Sequence, residues 1–160
     1  MKRVLWLNSV GHDQYDQDML RLFLQEADPD TEVTVQSWAQ RPRRLEHNAY
    51  GAPVLPGCLR QLRRAEQEGF GAAVMGCFHD PGLKAIRELV TALPVVFPQE
   101  TCVSLAATMG DPFSILVGRR KCIPGFQRCR KTPNAMGRAV ASPRSSHLIW
   151  ASWNFSRTIK

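Results

Sequence analysis

Residues 122–160 contain no aspartate and no glutamate, although the whole chain of 160 residues has 14. All 14 therefore lie in residues 1–121, with 14 of the 21 Lys and Arg, and that segment is neutral by formal count. The net charge of +7 belongs to the remainder, as Arg128, Arg130, Lys131, Arg138, Arg144, Arg157 and Lys160. A basic tail can neutralise phosphates without reading a base sequence. These bases form neither a helical stripe nor a known module, so no specific nucleic-acid partner is expected. Long apolar runs are missing too. Nothing approaches the roughly 20 residues of a membrane span, and no membrane partner is expected. Lys2 and Arg3 precede the apolar residues 4–7 in the manner of a signal peptide, but Asn8 and Ser9 stop that run too early for export. A cytoplasmic protein is the expectation.

Several motifs are absent as well. Without Gly-x-Gly-x-x-Gly a dinucleotide site is not expected. Without Gly-x-Ser-x-Gly, Ser9 lacks the frame of a hydrolase nucleophile. Five cysteines, an odd number without regular spacing, suit a reducing compartment better than a disulfide framework. Cys122, Cys129 and His147, or Cys77 and His79, match no paired-cysteine zinc pattern, so no metal site is expected. Arg41, Arg43 and Arg44 are most simply a solvated loop.

What is present is a regular alternation. Residues 3–8 (Arg-Val-Leu-Trp-Leu-Asn) read as a buried strand running into a loop at Ser9 and Gly11. Residues 13–26 place Met19, Leu20, Phe23 and Leu24 at helical spacing, with Asp13 placed to cap. Residues 32–38 alternate and are rich in β-branched side chains, as strands are. A polar loop with Tyr50, Gly51, Pro53 and Pro56 follows, then a charged amphipathic helix over 59–69. A strand at 72–77, a helix at 80–91, a strand at 94–97, a helix at 101–109 and a strand at 113–117 complete the series. The order β-α-β-α-β-α-β-α-β predicts an α/β fold, a parallel sheet with helices on both faces. Ligands bind beyond the carboxyl ends of such strands. That directs attention to Asn8-Ser9, Trp38, Cys77-Phe78-His79, Gln99-Glu100 and Gly118.

After Lys121 the alternation stops, and residues 122–160 read as an irregular, basic, disordered tail behind an α/β region at 1–121. Leu148, Ile149, Trp150 and Trp153 are apolar without a pattern. A shift of the coding frame near Lys121 would also produce this break, and the downstream DNA would reveal it.

The most informative segment is Ala72-Ala-Val-Met-Gly-Cys77-Phe-His-Asp80-Pro81-Gly82-Leu. Asp80 suits a helix N-cap and Pro81 the first helical position. Cys77 would then stand in a strand-to-helix turn near the positive end of a helix dipole, which favours thiolate. The plainer reading is a small buried apolar residue at a strand end. His79 reads as a solvent-facing loop residue more readily than as a base.

Gly-Cys77-Phe-His-Asp-Pro-Gly-Leu, followed by Ala85, Arg87-Glu-Leu and Leu-Pro-Val-Val, resembles the first-cysteine region of the aspartate/glutamate/hydantoin racemase family. Val-Leu-Trp-Leu-Asn8-Ser9 resembles that family's first strand and substrate loop. Phe97-Pro-Gln-Glu100, Leu105-Ala-Ala and Gly110-Asp-Pro-Phe-Ser-Ile-Leu-Val resemble its middle section. The resemblance covers about residues 3–121 and implies a first lobe with the start of a second. It implies an isomerase that moves the proton α to a carboxyl or carbonyl group between two cysteine thiols, with no cofactor. On that resemblance Cys77 is the first catalytic thiol. Asn8, Ser9, Phe78 and His79 bind the substrate, an amino acid or hydantoin, and Asp80 and Glu100 support them from behind. Homo-oligomers occur in the family. Its second cysteine lies late in a second lobe that this chain is expected not to complete, and neither Cys122 nor Cys129 inherits the role. A non-catalytic carboxylate-binding module and an inactive remnant therefore stand as alternatives.

Overall fold

The computed structural model describes residues 1–9, 12–37, 45, 47–109, 114–117 and 149–152. Trp38, Gly118, Cys122, Cys129, His147 and Trp153, and the arginines at 41, 43 and 44, lie outside the described residues. The chain divides into two units, residues 1–99 and 100–160.

The first unit carries β1 (Lys2–Leu7), α1 (Asp16–Glu26), β2 (Thr31–Gln36), α2 (Gly51–Gln67), β3 (Ala72–Met75), α3 (Leu83–Leu89) and β4 (Val95–Val96). A short 3-10 turn, Asn48–Tyr50, leads into α2. The four strands form one sheet in the order β2-β1-β3-β4, and every pairing is parallel. From β1 the chain steps outward to β2, then crosses back to lay β3 on the other side of β1 and β4 beyond it. The winding direction thus reverses between β1 and β3, and their carboxyl ends flank the crevice where such sheets hold ligands.

Side chains of a strand alternate between the two faces of its sheet. Leu5 and Leu7 are fully buried, in register with Ala73 and Met75. These four share a core with Val54, Cys58, Leu62 and Ala65 of α2 and Ile86 of α3. Trp6, pointing the other way, stacks on Phe23 of α1 with ring centroids 4.5 Å apart. Helices therefore lie on both faces, as the alternation predicts, and the fold is α/β.

Several boundaries differ from the sequence expectation. The segment 51–58, read as loop for its prolines, forms the first two turns of α2. Pro53 falls among the first-turn amides, which have no intrahelical acceptor, so it costs no bond; Pro56 does. The core stripe Val54, Cys58, Leu62 and Ala65 outweighs that one missing bond. Asp13 does not cap α1. The helix starts at Asp16 behind Tyr15, without a side-chain cap, and the Asp13 carbonyl instead accepts the Asp16 amide at 2.9 Å. Asp80 does not cap α3, which starts at Leu83 behind Gly82, a glycine at φ +74°. Glu66 fixes the approach to β4, its Oε1 accepting the Ala92 and Leu93 amides at 2.7 and 3.1 Å.

Helix α4 (Pro98–Met109) begins at the end of the first unit, and most of it belongs to the second. In the second unit Val103 and Ile115 are buried. Strand β5 (Ser114–Val117) pairs antiparallel with β6 (Ile149–Ser152), Ser114 opposite Ser152 and Val117 opposite Ile149. The sequence assigned no element to 149–152, where the structure places β6.

Candidate active site

The site is built where β1 and β3 end side by side. Their pairing continues past the strands, because the Gly76 amide donates to the Leu7 carbonyl at 2.8 Å. On β1's other flank the Asn8 amide donates to the Gln36 carbonyl at 2.8 Å. The paired register ends at Leu7–Met75, and Ser9 and Cys77 each follow it by two residues. So close an approach of the two strands requires glycine at 76. A Cβ there would stand 2.6 Å from Trp6 Nε1 and 2.7 Å from the Leu7 carbonyl oxygen.

Beyond Gly76 the backbone turns sharply. The Cys77 amide donates to the Met75 carbonyl at 2.8 Å, and the Asp80 amide to the Cys77 carbonyl at 3.1 Å. Asp80 takes φ 47°, a left-handed conformation that aspartate tolerates better than most residues. Its buried carboxylate accepts the Gln99 amide at 3.0 Å, in the first turn of α4. Asp80 is thus a cap for α4 instead of α3, and it ties the Cys77 turn to the end of β4. Cys77 lies in the strand-to-helix segment, with α3 itself starting only at Leu83. The Phe78 and His79 amides belong to this turn and not to a helix N-terminus.

Within the turn Cys77 is half-buried and packs on the core, while Phe78 is exposed. His79 is half-buried, with Nδ1 4.0 Å from Cys77 Sγ and Nε2 shielded from solvent. It is therefore not the solvent-facing loop residue its sequence context suggested. At this separation the imidazole is a neighbour of the thiol, at the long limit of a sulfur contact.

Ser9 is fully buried, and its Oγ has no hydrogen-bond partner among the described residues. Asn8 behaves differently. Its Nδ2 donates to Asp16 Oδ1 at 2.7 Å, the His12 carbonyl at 3.0 Å and Ser37 Oγ at 3.1 Å. Ser37 in turn donates to Asp16 Oδ2. An amide nitrogen has two hydrogens, and these contacts use both. Asn8 therefore stitches the β1 loop to α1 and to the end of β2. Asp16 and Ser37 went unnoticed in the sequence, where they stand 8 and 29 residues from Asn8.

In the core, Cys58 of α2 is buried, and its thiol is pushed up to about 12, first by that burial and then by the charge of Cys77. Glu100 is half-buried in the first turn of α4, where a carboxylate favours the helix dipole. No group of three His, Cys, Asp or Glu converges as metal ligands among the described residues. Among them, too, no helix is long and apolar enough to cross a membrane.

Comparison with known proteins meets this geometry. The family model described as Asp/Glu/Hydantoin racemase matches residues 6–152, past the break in composition at Lys121. A hydantoin racemase of Rhizobium meliloti is 33% identical over 94 residues, covering 59% of this chain and 39% of that protein. One from Pseudomonas sp. (strain NS671) is 36% identical over 87 residues, covering 54% and 34%. The chain thus spans less than half the length of these relatives. Among solved structures, allantoin racemase from Klebsiella pneumoniae is similar with TM-score 0.60 and 28% identity, over 68% of this chain and 44% of that one. Allantoin racemase from Pseudomonas fluorescens shares the fold with TM-score 0.71 at 18% identity, over 83% and 57%. With a family match over most of its length and an α/β sheet ending at Cys77, the chain belongs to the Asp/Glu/Hydantoin racemase family.

Proposed function

We propose that this chain moves the proton on a carbon α to a carbonyl, with Cys77 as the base, and that its substrate is a hydantoin-type ring or an amino acid. The observation that carries the reading is the place of Cys77: just past the end of β3, at the winding reversal, with His79 Nδ1 4.0 Å from its sulfur. The names of the similar proteins, hydantoin racemase and allantoin racemase, support the choice of a cyclic ureide. In such a ring a C–H lies beside a carbonyl, so proton loss is eased by spreading charge onto that oxygen.

Each side chain has a part. Cys77 as thiolate removes the proton. His79, through Nδ1, holds the thiol proton when the site is empty and orients the sulfur. Ser9 Oγ donates to the substrate oxygen that gains charge, as do the amides of Phe78 and His79. Asn8, Asp16 and Ser37 hold the Ser9 loop in place. Asp80 holds the Cys77 turn, and Glu100 steadies the start of α4. The reaction as written needs no cofactor, since the two thiol protonation states suffice for acid and base.

Exchange of the α-hydrogen in deuterium oxide, followed by proton NMR on 5-substituted hydantoins, allantoin, aspartate and glutamate, tests this. Cys77→Ser is expected to slow exchange by about 10²–10⁴-fold, the range for loss of a positioned base. Exchange unchanged in Cys77→Ser would sink the assignment. Ligand binding with no exchange in the unaltered chain would favour a carboxylate-binding module instead.

A further inference from the structure

Cys58 takes no part in the proposed proton transfer, yet it belongs to the core on which Cys77 packs. Leu55 and Cys58 are one turn apart on the same face of α2. Leu55 reaches so far up beneath the Cys77 turn that a Cβ on Gly82 would come within 2.5 Å of its Cδ1. Cys58 is fully buried in the core against which Cys77 packs. The face of α2 bearing Cys58 is therefore the floor of the turn bearing Cys77. Close thiols in one polypeptide, one near the surface and one beneath it, are the arrangement in which an oxidised sulfur is captured by its neighbour.

We propose that Cys58 is a resolving thiol for Cys77, so that a hydroperoxide converts the pair into an intramolecular disulfide. In the first step the Cys77 thiolate attacks the peroxide oxygen. The O–O bond breaks, the alcohol or water leaves after taking a proton, and Cys77 becomes a sulfenic acid. In the second, the Cys58 sulfur attacks Cys77 Sγ, an S–S bond forms, the S–O bond breaks, and water leaves with the Cys58 proton. Two electrons pass from the two thiols to the peroxide. The order follows from the packing: burial keeps Cys58 protonated, so oxidation begins at Cys77 and Cys58 enters second. The disulfide spares Cys77 from the sulfinic acid, which thiols do not reverse. The covalent step stands apart from the racemase reading. Only its consequence, reversible arrest of proton transfer, rests on that reading.

The test uses the 160-residue chain, treated with hydrogen peroxide, alkylated and digested with trypsin without reduction. Cleavage places Cys58 in residues 45–60 and Cys77 in residues 65–84. The expected result is a linked pair of these two peptides, lighter than their sum by two hydrogens and separated by dithiothreitol. In Cys58→Ala the linked pair is lost, and Cys77 goes on to sulfinic acid. Cys77 found oxidised while Cys58 is still alkylated, or Cys77 joined instead to Cys102, Cys122 or Cys129, would overturn the proposal. Because the readout is mass, its outcome is separate from whether the chain exchanges any substrate proton.

Discussion

At the scale of single residues, the side chains proposed to carry chemistry stood out in the sequence, while their hydrogen-bond partners did not. Cys77 and Ser9 were legible because both follow strands, and strand ends are where parallel sheets place ligands. Asp80 was legible as a capping residue, but for the wrong helix. With its left-handed backbone, its carboxylate accepts the Gln99 amide, 19 residues on. The Asn8–Asp16–Ser37 network left no local signal, since its members meet only after β1 and β2 pair. Cys58 gave none either, because burial is a property of the folded chain. That burial has a measurable consequence. Its folded-state value of about 12 exceeds the ordinary 9.0, so the native state keeps a proton that the unfolded chain loses. The resulting stability is intact below pH 9 and lost as pH rises from 9 toward 12, at about 1.4 kcal/mol per unit for one group. Urea unfolding across that range should therefore show a steeper fall for the parent chain than for Cys58→Ala. Parallel curves for the two would show that the thiol is not held in its neutral form.

At the scale of elements, order and type were legible and boundaries were not. Apolar periodicity marked β1, α1, β2, β3 and the rest in the right sequence, because one face of each must meet the core. Starts and stops depend on bonds that periodicity does not carry. In α2 the prolines argued for loop, and the burial of Val54 and Cys58 overrode them. In α3 the sequence Asp80-Pro81 promised a helix start, yet the chain spends three residues on the turn that holds Cys77 before Leu83 begins to wind. The junction of β1 and β3 depends most on one residue. With Trp6 Nε1 and the Leu7 carbonyl both within 3 Å of a Cβ at position 76, Gly76→Ala must push the strands apart. Overpacking of this kind costs ~1–3 kcal/mol. The expected outcome is a lower urea midpoint together with a loss of α-hydrogen exchange greater than the unfolded fraction explains, since the displaced strand end carries the Cys77 turn with it. A variant as stable and as active as the parent would show that the junction has room to spare.

At the scale of the whole molecule, the sheet order decides what kind of chemistry one unit can perform. The winding reverses between β1 and β3 in residues 1–99, and of the two described cysteines in that unit Cys77, just past β3, is the one not fully buried. Cys58 is too deeply buried to serve as a second base. Cys102 lies on α4 in the other unit, and Cys122 and Cys129 lie outside the described residues. Inversion at carbon needs a proton delivered to the face opposite the one it left, whereas a lone thiol returns it to the same face. Exchange and inversion should therefore separate in this chain. A single enantiomer of a 5-substituted hydantoin in deuterium oxide is expected to gain deuterium while chiral chromatography shows its configuration retained beyond the spontaneous rate. Equal rates of exchange and inversion would mean that a second acid reaches the far face from residues 100–160 or from another chain. Cysteine-to-serine replacement at 102, 122 and 129 in turn would then locate it. Because retention and inversion are read on the same sample, the measurement separates one-thiol from two-thiol chemistry without requiring the two units to be prepared apart.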